Sequence, residues 1–209
     1  MNCSCESTHP RRRVVLTGGP GAGKTAVLEM VRQSFCHHVR VLPESASVIF
    51  GGGFPREDPP ESRRAEQRAI YFVERELEAL ADVHDSALVL CDRGTLDGLA
   101  YWPGDLEDFW AAAGSTLEQE LARYEAVIHL RTPGVRQGYN HQNPLRTETA
   151  AVAAKIDKRI QKVWKKHPRR TMVDPTGNFL EKASTALGLL RDLVPECCAG
   201  SIVVPATWE

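Results

Sequence analysis

The sequence predicts an α/β protein with one five-stranded parallel sheet and helices on both of its faces, a three-layer α/β/α sandwich. Five short apolar segments alternate along the chain with longer segments whose apolar residues recur every three or four positions. Continuous apolar runs are typical of strands buried on both faces of a parallel sheet, and the wider spacing is typical of amphipathic helices. The 209 residues are enough for one domain of this kind.

The strands and helices follow from these patterns in chain order. We predict strands at 14–16, 39–42, 87–91, 126–130 and 171–173. Apolar stripes predict helices at 27–35, 61–84, 152–163 and 179–194. Ser115 and Glu118 have the spacing of a capping box, which predicts that a further short helix begins there. Strands separated by helices in this way specify three packed layers.

We expect one folded domain at residues 13–195, between a disordered N-terminal tail at 1–12 and a C-terminal tail at 196–209. The 26 basic and 27 acidic residues nearly balance, so no long-range field attracts the chain to nucleic acid or to an anionic membrane. The apolar runs are too short to span a bilayer, and the first residues lack the apolar core of a signal sequence. We therefore expect a cytoplasmic monomer or homodimer that binds neither nucleic acid nor membranes.

The six cysteines are expected to be reduced, because a chain that can build a full core belongs in a reducing compartment. Cys3 with Cys5, and Cys197 with Cys198, could each bind a metal in principle. Neither pair has the spacing of a structural zinc site. Free thiols are therefore the expected state near both ends of the chain.

Residues 18–25 form a glycine-rich segment that reads Gly-Gly-Pro-Gly-Ala-Gly-Lys-Thr. It matches the phosphate-binding pattern G-x-x-x-x-G-K-[ST] and lies between a predicted strand and a predicted helix, as this loop requires. Lys24 is expected to contact the outer phosphates of a nucleotide, and the hydroxyl of Thr25 to bind Mg²⁺. The residues predicted to bind the nucleotide here are Gly19, Pro20, Gly21, Ala22, Gly23, Lys24 and Thr25.

Charged residues follow the second and third predicted strands. Glu44 comes after residues 39–42, and Asp92 and Arg93 come directly after the third strand. The carboxyl ends of parallel strands share the sheet edge where such proteins bind ligands. We predict that Asp92 is a second Mg²⁺ ligand, that Arg93 contacts phosphate or acceptor, and that Glu44 deprotonates an acceptor hydroxyl. Asp97 is a competing base, and an ordinary ion pair is the alternative for Arg93.

A polar loop rich in Gly, Asn and Pro follows at residues 131–147. Its arginines predict a lid that brings guanidinium charge onto a transferring phosphoryl group and excludes water, although arginines in such loops are also common surface residues. We predict that Arg136 and Arg146 contact the phosphoryl group. Arg131, with Asp174 after the last strand, is predicted to contact the nucleotide.

These segments together resemble the AAA_28 group of P-loop proteins, which includes the ribosylnicotinamide kinase domain of bacterial NAD-biosynthesis regulators and the TRP-translocation-defect-like proteins of animals. The resemblance covers nearly all of residues 14–194. It depends on 17–25, Pro43-Glu44, Asp92-Arg93 with Asp97 and Tyr101, 143–148, Trp164 and His167-Pro168. It implies a P-loop NTPase with kinase-like topology and a lid.

Deoxynucleoside kinases offer a broader analogy, since their fold has a Pro-Glu after the second strand, whose Glu is the base, and an acidic-Arg pair after the third. Glu44, Asp92 and Arg93 would take those roles. Gly94 stands where those kinases have Ser, so the acceptor pocket is expected to differ.

The sequence therefore favours a kinase that moves the γ-phosphoryl group of ATP, with Mg²⁺, to a hydroxyl of a small, nucleoside-like acceptor. Residues 49–61, with three glycines and three prolines, are expected to shape the acceptor pocket. The alternative is a regulatory NTP-binding ATPase or GTPase whose loop and lid form a switch recognised by a protein partner. The absence of an Asn-Lys-x-Asp tetrad argues against a Ras-like switch. ATP is favoured over GTP, but no residue in the sequence determines which of the two nucleobases is bound.

Overall fold

The computed structural model describes residues 3, 5, 7–133, 150–175 and 178–199. The strands are β1 (Arg12–Thr17), β2 (Val39–Leu42), β3 (Leu88–Asp92), β4 (Ala126–Leu130) and β5 (Arg170–Val173). They form one sheet in the order β2–β3–β1–β4–β5, and all neighbouring strands are parallel. The predicted five-stranded parallel sheet is confirmed.

Helices cover both faces of this sheet. They are α1 (Lys24–Ser34), α2 (Ser45–Gly51), α3 (Pro60–Asp82), α4 (Leu106–Ala113), α5 (Leu117–Leu121), α6 (Ala150–Val163), α7 (Phe179–Arg191) and α8 (Glu196–Ala199). Short 3₁₀ helices lie at Asp97–Ala100 and Trp164–Lys166. The predicted lid at 131–147 lies outside the described residues from position 134 onward.

The alternation of side chains along β1 explains the three layers. Val14 and Leu16 pack with α1 and α7 in one hydrophobic cluster, whereas Val15 packs on the other face with α3 and α6. All three side chains are fully buried. A strand apolar on both faces can only be central, and β1 therefore holds the loop that follows it in the middle of the sheet edge.

The predicted capping box of α5 is wrong by one residue. Thr116, not Ser115, is the N-cap, and its partner is Gln119 rather than Glu118. Ser115 instead donates its hydroxyl hydrogen to the buried Glu120 at 2.6 Å. Because Ser115 and Thr116 are adjacent hydroxyl residues, the sequence did not show which of them is the N-cap. The buried carboxylate of Glu120 binds Ser115 and leaves Thr116 as the N-cap.

The helices α2, α4 and α8 were not predicted. None exceeds eight residues, and one or two turns are too short to show a helical period. The predicted domain limits at 13 and 195 stay a prediction, but residues beyond both of them contact the core: Cys3 packs against the α1–α7 side, and Cys198 is fully buried there. Among the helices that the structure describes, none is long and apolar enough to cross a membrane.

Candidate active site

A cavity of about 630 Å³ opens at the carboxyl edge of the sheet. The glycine-rich loop forms one side of it, the ends of β2 and β3 form its floor, and α2 with the start of α3 forms the opposite side. Many of the predicted site residues line it: Pro20, Gly21, Lys24, Thr25, Glu44, Asp92, Arg93 and Asp97. The rule that parallel strands end at one edge therefore brought these distant positions together correctly.

The glycine-rich loop has a backbone that side chains would block. Gly18, Gly21 and Gly23 all have positive φ angles, of 141°, 77° and 93°. A Cβ atom at Gly18 would lie 2.1 Å from the carbonyl oxygen of Leu130, a severe clash. The glycines are thus required by the backbone course itself, and they leave the concave side of the loop open for phosphate.

Lys24 is buried at the base of the loop, where its Nζ donates a hydrogen bond to the Gly18 carbonyl at 3.0 Å. Burial, followed by the charge of Arg93, lowers the pKa of Lys24 to about 8 against the opposing effect of Asp92. A desolvated ammonium group with one carbonyl partner is poised to bind a strong anion.

Arg93 links three elements of the site. Its Nε donates to Glu44 at 2.6 Å, and its Nη1 donates to the Gly18 carbonyl at 3.2 Å and to Asp97 at 3.3 Å. Its φ of 74° is unusual for a residue other than glycine, a kind of strain that is concentrated at functional sites. The guanidinium group thus ties the phosphate loop to the carboxylate after β2.

Glu44 is held on both carboxylate oxygens, because Ser47 donates to the second at 2.5 Å. Burial alone would raise the pKa of Glu44, but the positive charges of Arg93 and Lys24 outweigh it and lower the pKa to about 2. Glu44 is therefore a fixed, ionised hydrogen-bond acceptor at the cavity wall.

Asp97 also lines the cavity, but its side chain is only 4 % exposed and is engaged by internal hydrogen-bond donors. Its carboxylate accepts hydrogen bonds from the Gly94 N–H at 3.1 Å, from the Trp164 indole at 3.0 Å and from the Thr17 hydroxyl. With Arg93 as a further donor, both of its oxygens are engaged. This environment favours a positioning role for Asp97 over the role of base.

Asp92 has the opposite environment. Its Oδ1 is buried and has no hydrogen-bond partner among the residues that the structure describes. Burial raises the pKa of Asp92 to about 6, although the charge of Lys24 acts in the other direction. An orphaned carboxylate oxygen beside the phosphate loop fits a divalent cation, and the exposed Thr25 on the adjacent helix turn offers a hydroxyl ligand.

The loop is fixed from behind by two residues that the sequence patterns did not reveal. Asp157 of α6 accepts a hydrogen bond from the Gly19 N–H at 2.9 Å and lies 2.8 Å from Nε2 of His129. Lys182 of α7 donates to the carbonyls of Ala22 at 2.8 Å and Arg131 at 2.6 Å. Both residues are at least 95 % buried. In the sequence, each of these two residues is recognisable only as a charged residue next to the apolar stripe of its helix.

Arg131 and Asp174 were predicted to contact the nucleotide, but neither residue lines the cavity. Arg131 pairs instead with Asp174 at 2.6 Å, and both side chains are largely exposed. Their predicted contact with a nucleotide stays a prediction. Arg136 and Arg146 lie outside the described residues.

Comparison with known proteins decides the family. Residues 13–182 match the model of the AAA_28 family, described as an AAA domain. The chain belongs to this family. A search of curated proteins finds no significant match.

Solved structures show the fold of this AAA_28 protein. Thymidylate kinase from Candida albicans superposes with a TM-score of 0.63 at 13% identity, over 89% of this chain and 93% of that one. Deoxyadenosine kinase from M. mycoides with bound dATP gives a TM-score of 0.55 at 12% identity, over 86% of this chain and 99% of that one. The fold is that of P-loop nucleoside and nucleotide kinases.

The partly buried Asp92 of this AAA_28 protein makes a testable contribution to stability. Because its pKa is raised from 3.8 to about 6, the folded state binds an extra proton between these pH values. The stabilisation is therefore complete below about pH 4 and is lost as the pH rises through about 6. We expect Asp92→Asn, which cannot ionise, to be more stable than the natural protein at pH 7, by a margin that shrinks toward pH 4.

Urea unfolding of both proteins from pH 4.5 to 7.5 measures this margin, with Asp192→Asn, an exposed aspartate after α7, as the matched control. A margin that stayed constant or grew toward acid pH would contradict the assignment of the raised pKa to Asp92.

Proposed function

We propose that this protein is a phosphotransferase that moves the γ-phosphoryl group of ATP to a hydroxyl of a small, nucleoside-like molecule. The observation that carries the proposal is the placement of Glu44, an ionised carboxylate held by Arg93 and Ser47 at the wall of the cavity that also contains Lys24 and Asp92. A nucleotide-binding switch has no need of a fixed carboxylate facing open space across from its phosphate loop.

The donor side of the cavity supports ATP binding. The open loop at 18–25 offers backbone N–H groups, and Lys24 provides a buried positive charge for the outer phosphates. Thr25 and Asp92 would hold Mg²⁺, which neutralises charge on the phosphate oxygens when bound. Arg93, already anchored on Gly18, adds a second positive charge at the point of transfer.

Glu44 suits the acceptor side better than Asp97 does. In the proposed step the acceptor oxygen forms a bond to the γ-phosphorus, the bond from that phosphorus to the β–γ bridging oxygen breaks, and ADP leaves with that electron pair. The hydroxyl proton passes to Glu44, which lines the cavity and is ionised throughout the neutral range. The side chain of Asp97 is only 4 % exposed, compared with 26 % for Glu44, so Asp97 is less accessible to an acceptor hydroxyl.

The acceptor space lies beyond Glu44, between α2 and α3. Phe50, Arg56 and Gln67 line it, and the Arg56 guanidinium lies 5.2 Å from the centre of the Phe50 ring. A flat apolar face next to a buried side-chain amide suits a planar heterocycle with hydrogen-bonding edges, such as a nucleobase. Phe50 and Arg56 belong to the segment 49–61, whose role in shaping the acceptor pocket stays a prediction, whereas Gln67 was not singled out from the sequence.

Incubation of the purified protein with Mg·ATP and a panel of nucleosides, ribosides and sugars, with ADP release as readout, tests the proposal. We expect turnover with nucleoside-like acceptors well above the rate without acceptor, and a phosphorylated product by mass spectrometry. ATP binding with no acceptor-dependent ADP release across the panel would contradict the proposal and favour the regulatory switch.

A further inference from the structure

A group of cysteine and histidine side chains lies at the opposite edge of the sheet from the cavity. Cys36 follows α1, His38 precedes β2, and Cys198 lies in α8, close to the N-terminal segment that contains Cys3. Because β2 runs from this edge to Glu44, the full length of the strand separates the group from the candidate active site. The two sites are therefore independent in space.

These four side chains converge on one point. Their Sγ and Nδ1 or Nε2 atoms all lie within 4.8 Å of one another. Nδ1 of His38 is 3.3 Å from Sγ of Cys198 and 3.8 Å from Sγ of Cys36. Cys36, His38 and Cys198 are buried, and Cys3 closes the group from the solvent side with its side chain half-buried.

The spacing is that of a tetrahedral zinc site. With Zn–S bonds of about 2.3 Å and Zn–N bonds of about 2.0–2.1 Å, the edges of the tetrahedron are about 3.8 Å between two sulfurs and about 3.6 Å between sulfur and nitrogen. The two sulfur–nitrogen distances, 3.3 and 3.8 Å, bracket the sulfur–nitrogen edge, and the upper limit of 4.8 Å on all separations leaves room for the sulfur–sulfur edge. Three thiols and one imidazole are also a common ligand set of structural zinc sites.

We propose that Cys3, Cys36, His38 and Cys198 bind one structural Zn²⁺ ion. Binding joins the ion to three thiolates and one neutral imidazole, and the three thiol protons pass to solvent. The ion ties the N-terminal segment, the α1–β2 connection and α8 to one another. The pairs Cys3–Cys5 and Cys197–Cys198 each contribute one cysteine to this group, and the α1–β2 connection contributes the other two ligands.

A neighbouring group of Cys5, His9 and Cys197 is the rival location. Nε2 of His9 is 3.5 Å from Sγ of Cys5 and 3.2 Å from Sγ of Cys197. This group offers three ligands in place of four, and Cys197 is exposed. A structural zinc site is closed by four protein ligands, which favours the buried group.

The first test is the metal content of the full chain, purified in reducing buffer without chelator and measured by elemental mass spectrometry. We expect about one zinc per chain, as for a closed four-ligand site. Replacement of zinc by Co²⁺ is expected to give intense thiolate charge-transfer absorption and the visible bands of a tetrahedral ion. Protein free of zinc, or with disulfides among these cysteines under reducing conditions, would overturn the proposal.

The second test assigns the ligands. Cys3→Ala removes a ligand from the terminal segment without opening the core, and we expect zinc affinity to fall more than the roughly 10–100-fold typical of losing an outer-shell partner. Cys3→His is expected to restore much of that affinity. Cys91→Ala removes a buried thiol of β3 elsewhere, and Cys5→Ala removes one from the rival group, so both are expected to keep the zinc. Zinc lost from Cys5→Ala but retained by Cys3→Ala would overturn the assignment.

Discussion

Lys24→Ala is expected to lower the affinity of the protein for ATP by about 100-fold, enough to abolish binding at ordinary assay concentrations. A hydrogen bond to a charged group contributes about 1.5–3 kcal/mol, and the upper figure corresponds to roughly 150-fold in affinity. Lys24 is at the top of this range because its ammonium group is buried and partly desolvated before any phosphate arrives. Calorimetric titration with Mg·ATP measures the change.

The fold is expected to survive this substitution. The Gly18 carbonyl, which accepts from Lys24 at 3.0 Å, keeps a second donor in Arg93 at 3.2 Å. The loop backbone is also held by Asp157 through the Gly19 N–H. Lys158→Ala, at an exposed position of α6, is the matched control and should bind ATP normally. Equal affinities of natural protein and Lys24→Ala would refute the phosphate role of the loop.

The pH dependence of binding provides an independent check on the same side chain. The protonated amine is the form that binds phosphate, and the pKa of Lys24 without nucleotide is about 8. Bound phosphate raises that pKa, so binding takes up a proton above about pH 8, and affinity should fall up to tenfold for each pH unit there. Lys24→Ala should lack this alkaline decline. If the affinity for ATP declined with the same slope in the natural protein and in Lys24→Ala, the decline would be due to a titratable group other than Lys24.

The carboxyl edge of the sheet was predictable from sequence because short-range patterns and one topological rule determine it. Residues 14–16 are apolar without interruption and precede the glycine-rich loop, which marks a central strand and its phosphate site. Glu44, Asp92 and Arg93 each follow a parallel strand, so their meeting needed no knowledge of how the helices pack.

The supports of the site were not predictable in the same way. Asp157 and Lys182 reach the loop only because α6 and α7 are rotated to place one charged residue each beneath it, and that rotation depends on tertiary packing. The cysteine cluster had no local signature either, since His38 and Cys198 are 160 residues apart. A contact between two segments that are distant in sequence can be predicted only when each segment has a recognisable motif of its own.

Glu44→Gln is expected to lower the turnover number of the proposed kinase reaction by about 10²–10⁴-fold, the usual contribution of a general base. The affinity for ATP should change little, because Glu44 is connected to the phosphate loop only through Arg93, which keeps its own hydrogen bond to Gly18. Glutamine has nearly the same shape and keeps an oxygen that can accept from Arg93 and a carboxamide that can contact Ser47, so the geometry of the pair is expected to persist. Steady-state rates with an accepted nucleoside, together with ATP titrations, separate the two effects.

The selective loss of turnover distinguishes a kinase from a switch. An interaction made in the transition state lowers the turnover number and leaves ground-state binding intact, whereas a misfolded loop would lower both. Glu61→Gln, at an exposed position in the first turn of α3, is the matched control and should retain full activity. Unchanged turnover in Glu44→Gln would exclude Glu44 as the base. Since the nearly buried Asp97 already accepts hydrogen bonds on both of its oxygens, the proton would then have to leave through solvent or the phosphoryl group itself.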